Sequence, residues 1–195
     1  MLSSITPLGE RGRGRRWGTT VTWYVAGSVV GGGVLGGLLG LGGSALPAPT
    51  ATHAVVLAVL CVLGALLDAR VGGARLPTLR RQVNEDWLDT YRGWVVGLGY
   101  GLQLGLGITT IVTTSTVYLT LVAALLSGSW IAGAAIGVVF GTVRALPLVA
   151  TRHLVSPAAL GTVHRRIATW ALGAHRVALT AQLVVALGLS ARGLS

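Results

Sequence analysis

The chain has 195 residues, of which 52% are hydrophobic and only 10% charged, and its mean hydropathy is +0.74. Soluble domains carry about 25% charged residues, and apolar runs as long as these exclude an ordinary soluble core. The net charge of +10 is fifteen arginines less five acids; the arginines stand mostly in the gaps between apolar runs where they anchor topology, so nucleic-acid binding is not expected.

Composition and run length together predict an all-α polytopic helical membrane protein with five transmembrane helices, six being the alternative, and a glycine-rich close-packed core. The absence of lysine and the thirty glycines point to a GC-rich, actinobacterial genome. Residues 1–20 read as a basic cytoplasmic segment, with Arg11, Arg13, Arg15 and Arg16 against Glu10. Residues 21–190 read as a single membrane domain.

The first span, 21–43, exceeds the roughly 7–15 apolar residues of a signal peptide, and more spans follow, so it is read as retained. Gly32, Gly36 and Gly40 recur every four residues, which puts them on one helix face. Glycine there lets another helix approach backbone to backbone. The uncharged, proline-containing stretch 44–53 is a turn. The second span, 51–67, is close to the minimum of about 17 residues for a crossing. Its Cys61 reads as a small buried hydrophobe rather than a redox or metal-binding thiol, and a lone cysteine forms no intramolecular disulfide.

Residues 69–93 hold most of the acids. Leu79, Val83, Trp87 and Tyr91 follow at i+4 steps, and Arg81–Glu85 and Asp89–Arg92 fall at helical pairing distance. This is the pattern of an amphipathic cytoplasmic loop or helix lying on the membrane.

The next apolar stretch, 94–126, would reach about 50 Å as a straight helix, against a hydrocarbon core of about 30 Å. It is expected to be broken or kinked near Gly105–Thr109. Its first half carries Gly97, Gly101 and Gly105 at i+4; its second half is rich in threonine. Non-helical backbone at membrane depth is tolerated where it lines a cavity. Gln103, Thr109, Thr110, Thr113 and Thr114 are therefore the substrate-path candidates. The span 131–150 repeats the beat with Gly133, Gly137 and Gly141 and contains Arg144 and Pro147. The last span, 167–189, contains His175 and Arg176.

The arginine clusters at 11–16, 70–92 and 144–166 belong on the cytoplasmic side. That threads the chain with its N-terminus inside a bacterial inner (plasma) membrane, in multiple passes. Ionisable groups in or near spans are functional candidates by default, and here they are Asp68, Arg144, His175 and Arg176. Arg176 either snorkels to the interface or pairs with Asp68.

The segments GWVVGLGYGLQLGLGITTIVTT and SGSWIAGAAIGVVFGTVRALP, at 93–114 and 127–147, resemble the lysine-exporter and CcdA-type superfamily of small polytopic membrane proteins. The resemblance covers about a quarter of the chain and implies an exporter-like architecture. CcdA-type proteins use paired intramembrane cysteines, usually beside proline; this chain has Cys61 alone in the context VLCVL, which argues against a thiol-redox conduit.

No HExxH, GxSxG or Walker loop is present, so the chain is not read as an enzyme, and no cofactor or metal site is expected. The leading expectation is a transporter or permease-like protein moving a small solute or ion through glycine-packed helices. The alternative is a non-transporting membrane subunit or assembly factor. Expected partners are the lipid bilayer and either a second copy or a membrane partner protein.

Overall fold

A computed structural model describes residues 5–47, 50–70, 91–107, 114–150, 152 and 157–193. The amphipathic segment expected over 69–93 lies for the most part outside the described residues, as do Thr109, Thr110 and Thr113. The described residues form seven helices: α1 (Pro7–Gly12), α2 (Trp17–Gly43), α3 (Thr50–Asp68), α4 (Gly93–Leu106), α5 (Thr116–Leu126), α6 (Trp130–Ala150) and α7 (Pro157–Gly193). Three stretches among them, Trp17–Gly43, Ala51–Asp68 and Trp130–Ala150, are long and apolar enough to cross a membrane.

The bundle is built around α2. A Cβ placed on Gly97, Gly101 or Gly105 of α4 would fall on the carbonyl oxygen of Thr20, Tyr24 or Ser28 respectively. Both sets of numbers rise together, so α4 runs parallel to α2. On the adjoining face, which shares Ser28 with the first, Gly141, Gly137 and Gly133 of α6 meet Ser28, Gly32 and Gly36, so α6 runs antiparallel. Backbones this close leave no room for side chains, and dispersion contacts and short polar bridges hold them together. One such bridge is the Ser28 hydroxyl, which donates to the Gly141 carbonyl at 2.8 Å.

The long apolar stretch is two helices. α4 ends on Gly107, which takes the left-handed conformation (φ 67°) and whose N–H donates to Leu104 O. α5 begins at Thr116 and ends with Leu125 against Gly43, the last residue of α2. Gly93, at the start of α4, lies beside Thr20 near the start of α2. The two short helices together therefore make one net passage alongside α2.

A second group contains α3 and α7, which pack on each other, while α5 touches α2, α3 and α6. Ala58, Cys61 and Ala186 form its small buried cluster, flanked by Leu57, Leu119 and Leu189. The main cluster joins Val21, Tyr24, Val96, Tyr100, Ala145 and Leu148 with Ile5. The outward faces are apolar: Val30, Val34, Leu38 and Leu41 of α2 are all exposed, as are Val55, Val59, Val62 and Leu66 of α3. Such an exterior suits lipid rather than water. Trp23 and Trp94 meet in a tilted pair, 5.9 Å between ring centroids and 53° between planes, near the starts of α2 and α4.

Candidate functional site

The interruption between α4 and α5 creates a physical problem inside an apolar molecule. The first N–H groups of a helix have no partner within the helix, and leaving them bare in apolar surroundings is costly. α5 is 11 residues long, about 16 Å of helix, and its far end lies at the C-terminal end of α2. Its N-terminus thus lies part-way along α2, level with the end of α3.

Asp68, the last residue of α3, solves the problem from another helix. Its carboxylate accepts from the Ser115 backbone N–H at 2.8 Å (Oδ1) and 3.1 Å (Oδ2), and from the Ser115 hydroxyl at 2.8 Å (Oδ2). The Gln182 amide of α7 donates toward Asp68 Oδ2 at 3.1 Å, Ser115 Oγ at 3.0 Å and Thr116 Oγ1 at 2.9 Å. Asp68 is 7% exposed and Gln182 4%. The negative charge also faces the positive end of the α5 dipole, which favours it. One polar node therefore fastens α3, α5 and α7 where the long apolar stretch is interrupted.

Beside the node run two open grooves sharing Thr116, Thr120 and Ile136. One, of about 670 Å³, is lined by α5 and α6 with Thr114 and Arg144. The other, of about 270 Å³, is lined by α3, α5, α6 and α7, with Cys61 and Gln182. Both are otherwise walled by apolar side chains. The Arg144 guanidinium lies 5.2 Å from the Phe140 ring centroid, a cation–π placement.

The remaining candidates separate. Gln103 is partly buried on α4, and Thr114 sits in the larger groove. His175 is partly buried and Arg176 exposed on α7. The Arg176–Asp68 pair does not form, because Asp68 is held by Ser115 and Gln182. Gly32, Gly36, Gly40, Gly97, Gly101, Gly105, Gly133, Gly137 and Gly141 all lie where a Cβ would strike backbone of a neighbouring segment. Among the described residues no group of three or more His, Cys, Asp or Glu is placed to hold a metal.

Two buried polar positions fall outside the candidates drawn from the sequence. Gln182 is one; its signal is a lone amide inside the apolar run ALTAQLVVALGL. Glu10 is the other. It is fully buried, accepts from Thr20 Oγ1 at 2.6 Å, and lies 3.7 Å from Arg13 Nη1. It pins α1 over the starts of α2 and α4, where a side chain at Gly93 would meet it.

Comparison with known proteins turns on one name. The chain is similar to the methylamine utilization protein MauF. It is 35% identical to that of Methylophilus methylotrophus over 153 residues, 75% of this chain and 53% of the relative. Against MauF of Paracoccus versutus it is 37% identical over 154 residues, 75% and 56% of the two chains. MauF of Paracoccus denitrificans gives 35% over 153 residues, 75% and 55%. The chain thus spans about half the length of the curated relatives it matches. Neither a family model nor a solved structure matches it.

The MauF relatives correct two expectations. The resemblance to lysine exporters and CcdA-type proteins is overturned, since the similar proteins carry a different name over three-quarters of the chain. The physical reason is that glycine every four residues serves close helix packing in any membrane bundle, so it marks packing and not descent. The transporter or permease reading falls with it, on the same relatives.

Proposed function

We propose that this protein is a non-catalytic membrane subunit or assembly factor that acts on a partner protein in methylamine utilization. The similarity to MauF over 75% of the chain carries this reading. The disposition of polar groups supports it. Asp68, Ser115 and Gln182 are spent on capping α5 and tying helices together, and the α2 interfaces are closed by glycine backbone contact.

The threading we propose with it has five spans: α2, α3, the α4–α5 pair, α6 and the apolar part of α7, in a bacterial inner membrane with the N-terminus cytoplasmic. α2, α3 and α6 suit this by length and composition. The α4–α5 pair suits it because its two ends meet the two ends of α2.

The test is deletion of the gene in its host, with growth on methylamine and uptake of labelled methylammonium measured together. The proposal expects growth to fail while initial uptake is unchanged, and a plasmid copy to restore growth. Loss of uptake in energised cells, in proportion to the loss of growth, would refute it.

A further inference from the structure

The larger groove has a direction. On α6 its wall runs from Arg144 through Phe140 and Val139 to Ile136, a rise of about 12 Å. One leaflet of the hydrocarbon core is about 15 Å thick. Val139 and Val143 are 63% and 57% exposed along this wall, so the groove opens sideways from the bundle. Its charged end lies toward one face of the molecule. Arg144 is six positions before Ala150, about 9 Å from the end of α6. Its neighbour Ala145 packs in one cluster with Val21 and Tyr24, in the first half of α2. That is the face where Arg13, Arg15, Arg16 and Arg92 gather at the starts of α2 and α4.

We propose that the groove binds one acyl chain of an anionic phospholipid from the arginine-rich leaflet, with the lipid phosphate on Arg144. The inference rests on the membrane-spanning reading above. A largely apolar groove of about 12 Å, with a guanidinium at the end nearer the arginine-rich face, matches an acyl chain below a phosphate. Arginine is the side chain best shaped to hold phosphate oxygens. The surrounding arginines raise the local concentration of anionic headgroups. Zwitterionic lipid offers the same tail but no net charge to that surface.

The experiment is native mass spectrometry of the whole chain released from nanodiscs of equal phosphatidylglycerol and phosphatidylcholine. One retained phosphatidylglycerol per protein is expected. Arg144→Gln should weaken its retention about tenfold, the worth of one charged hydrogen-bonded contact. Val139→Trp fills the groove from an exposed position and should displace the lipid with Arg144 intact. Arg144→Lys should restore part of the retention. Equal retention of the two lipids overturns the proposal, as does phosphatidylglycerol retained undiminished in both Arg144→Gln and Val139→Trp. Carbonate extraction of the same membranes separates the two readings. Protein released by carbonate sinks the spanning reading; protein that stays with the membrane but shows no lipid preference sinks the lipid site alone.

Discussion

At Asp68 one carboxylate receives the Ser115 N–H, the Ser115 hydroxyl and the Gln182 amide. Asp68→Ala strips the acceptor from the Ser115 N–H and hydroxyl and leaves the Gln182 amide only Ser115 Oγ and Thr116 Oγ1. A buried donor left unsatisfied costs about 1–3 kcal/mol, so the variant should unfold well below the parent temperature in a detergent melt. Asp68→Asn keeps one acceptor oxygen and should fall between. The two residues touch, so an Asp68→Asn/Gln182→Leu cycle should show coupling of about 0.5–3 kcal/mol. Additive effects would mean the node is not a unit. An acid closing the apolar run 51–67 stands out in the sequence, and so does a lone amide in the last run. Their meeting does not. They are 114 positions apart, and only the register of α3 against α7 brings them together. Glu10 shows the opposite case. One acid among four arginines reads as a solvated head, and nothing local indicates that it is buried beside Thr20.

At the scale of elements, α1 has six residues, too few to hold a helix by itself. It is kept in place by Ile5, Thr6 and Glu10, all buried, and by Thr6 Oγ1 accepting from Gly9 N at 3.1 Å. Glu10→Ala should therefore release it, and limited trypsin digestion should then cut faster at Arg11 and Arg13; an unchanged digestion rate would show that Glu10 does not pin it. The glycine helices offer a contrast of sign. A Cβ on Gly101 meets the Tyr24 carbonyl, while one on Gly188 meets nothing within 4 Å. Gly101→Ala should cost about 1–3 kcal/mol by overpacking, whereas Gly188→Ala should gain up to about 1 kcal/mol of helix propensity. Thermal melts of the two variants moving in the same direction would contradict the packing described. The i+4 glycine spacing is plain in the sequence. Which glycine faces which helix is not, because α4 and α6 both pack on α2, meeting at Ser28, and one stripe fits either. The excess length of 94–126 is equally plain, but the ending on Gly107 and the cap from Asp68 belong to tertiary structure.

The whole molecule has two ends of different character. Arg13, Arg15, Arg16 and Arg92 gather where α2 and α4 start. The opposite end is formed by the turn after Gly43 and the 127–129 turn, and Gly43, Ser44, His53, Ser127 and Gly128 line a small polar depression there. Arginine-rich ends are retained in the cytoplasm, which fixes the orientation of the proposed threading. Cys61, the one cysteine, is buried, so Cys61→Ser gives a silent background for labelling. In that background Ser127→Cys should react with a membrane-impermeant maleimide added to intact spheroplasts. Arg152→Cys, just after α6, should react only once the membrane is broken. The turn at 127–129 and Arg152 are joined by α6 alone, 21 residues or about 32 Å of helix. The two sites must therefore lie on opposite sides if α6 crosses the membrane. Labelling of both from outside would mean that α6 does not cross. Labelling of Arg152→Cys alone would invert the orientation and place the arginine-rich end, together with the phosphate site proposed at Arg144, in the outer leaflet.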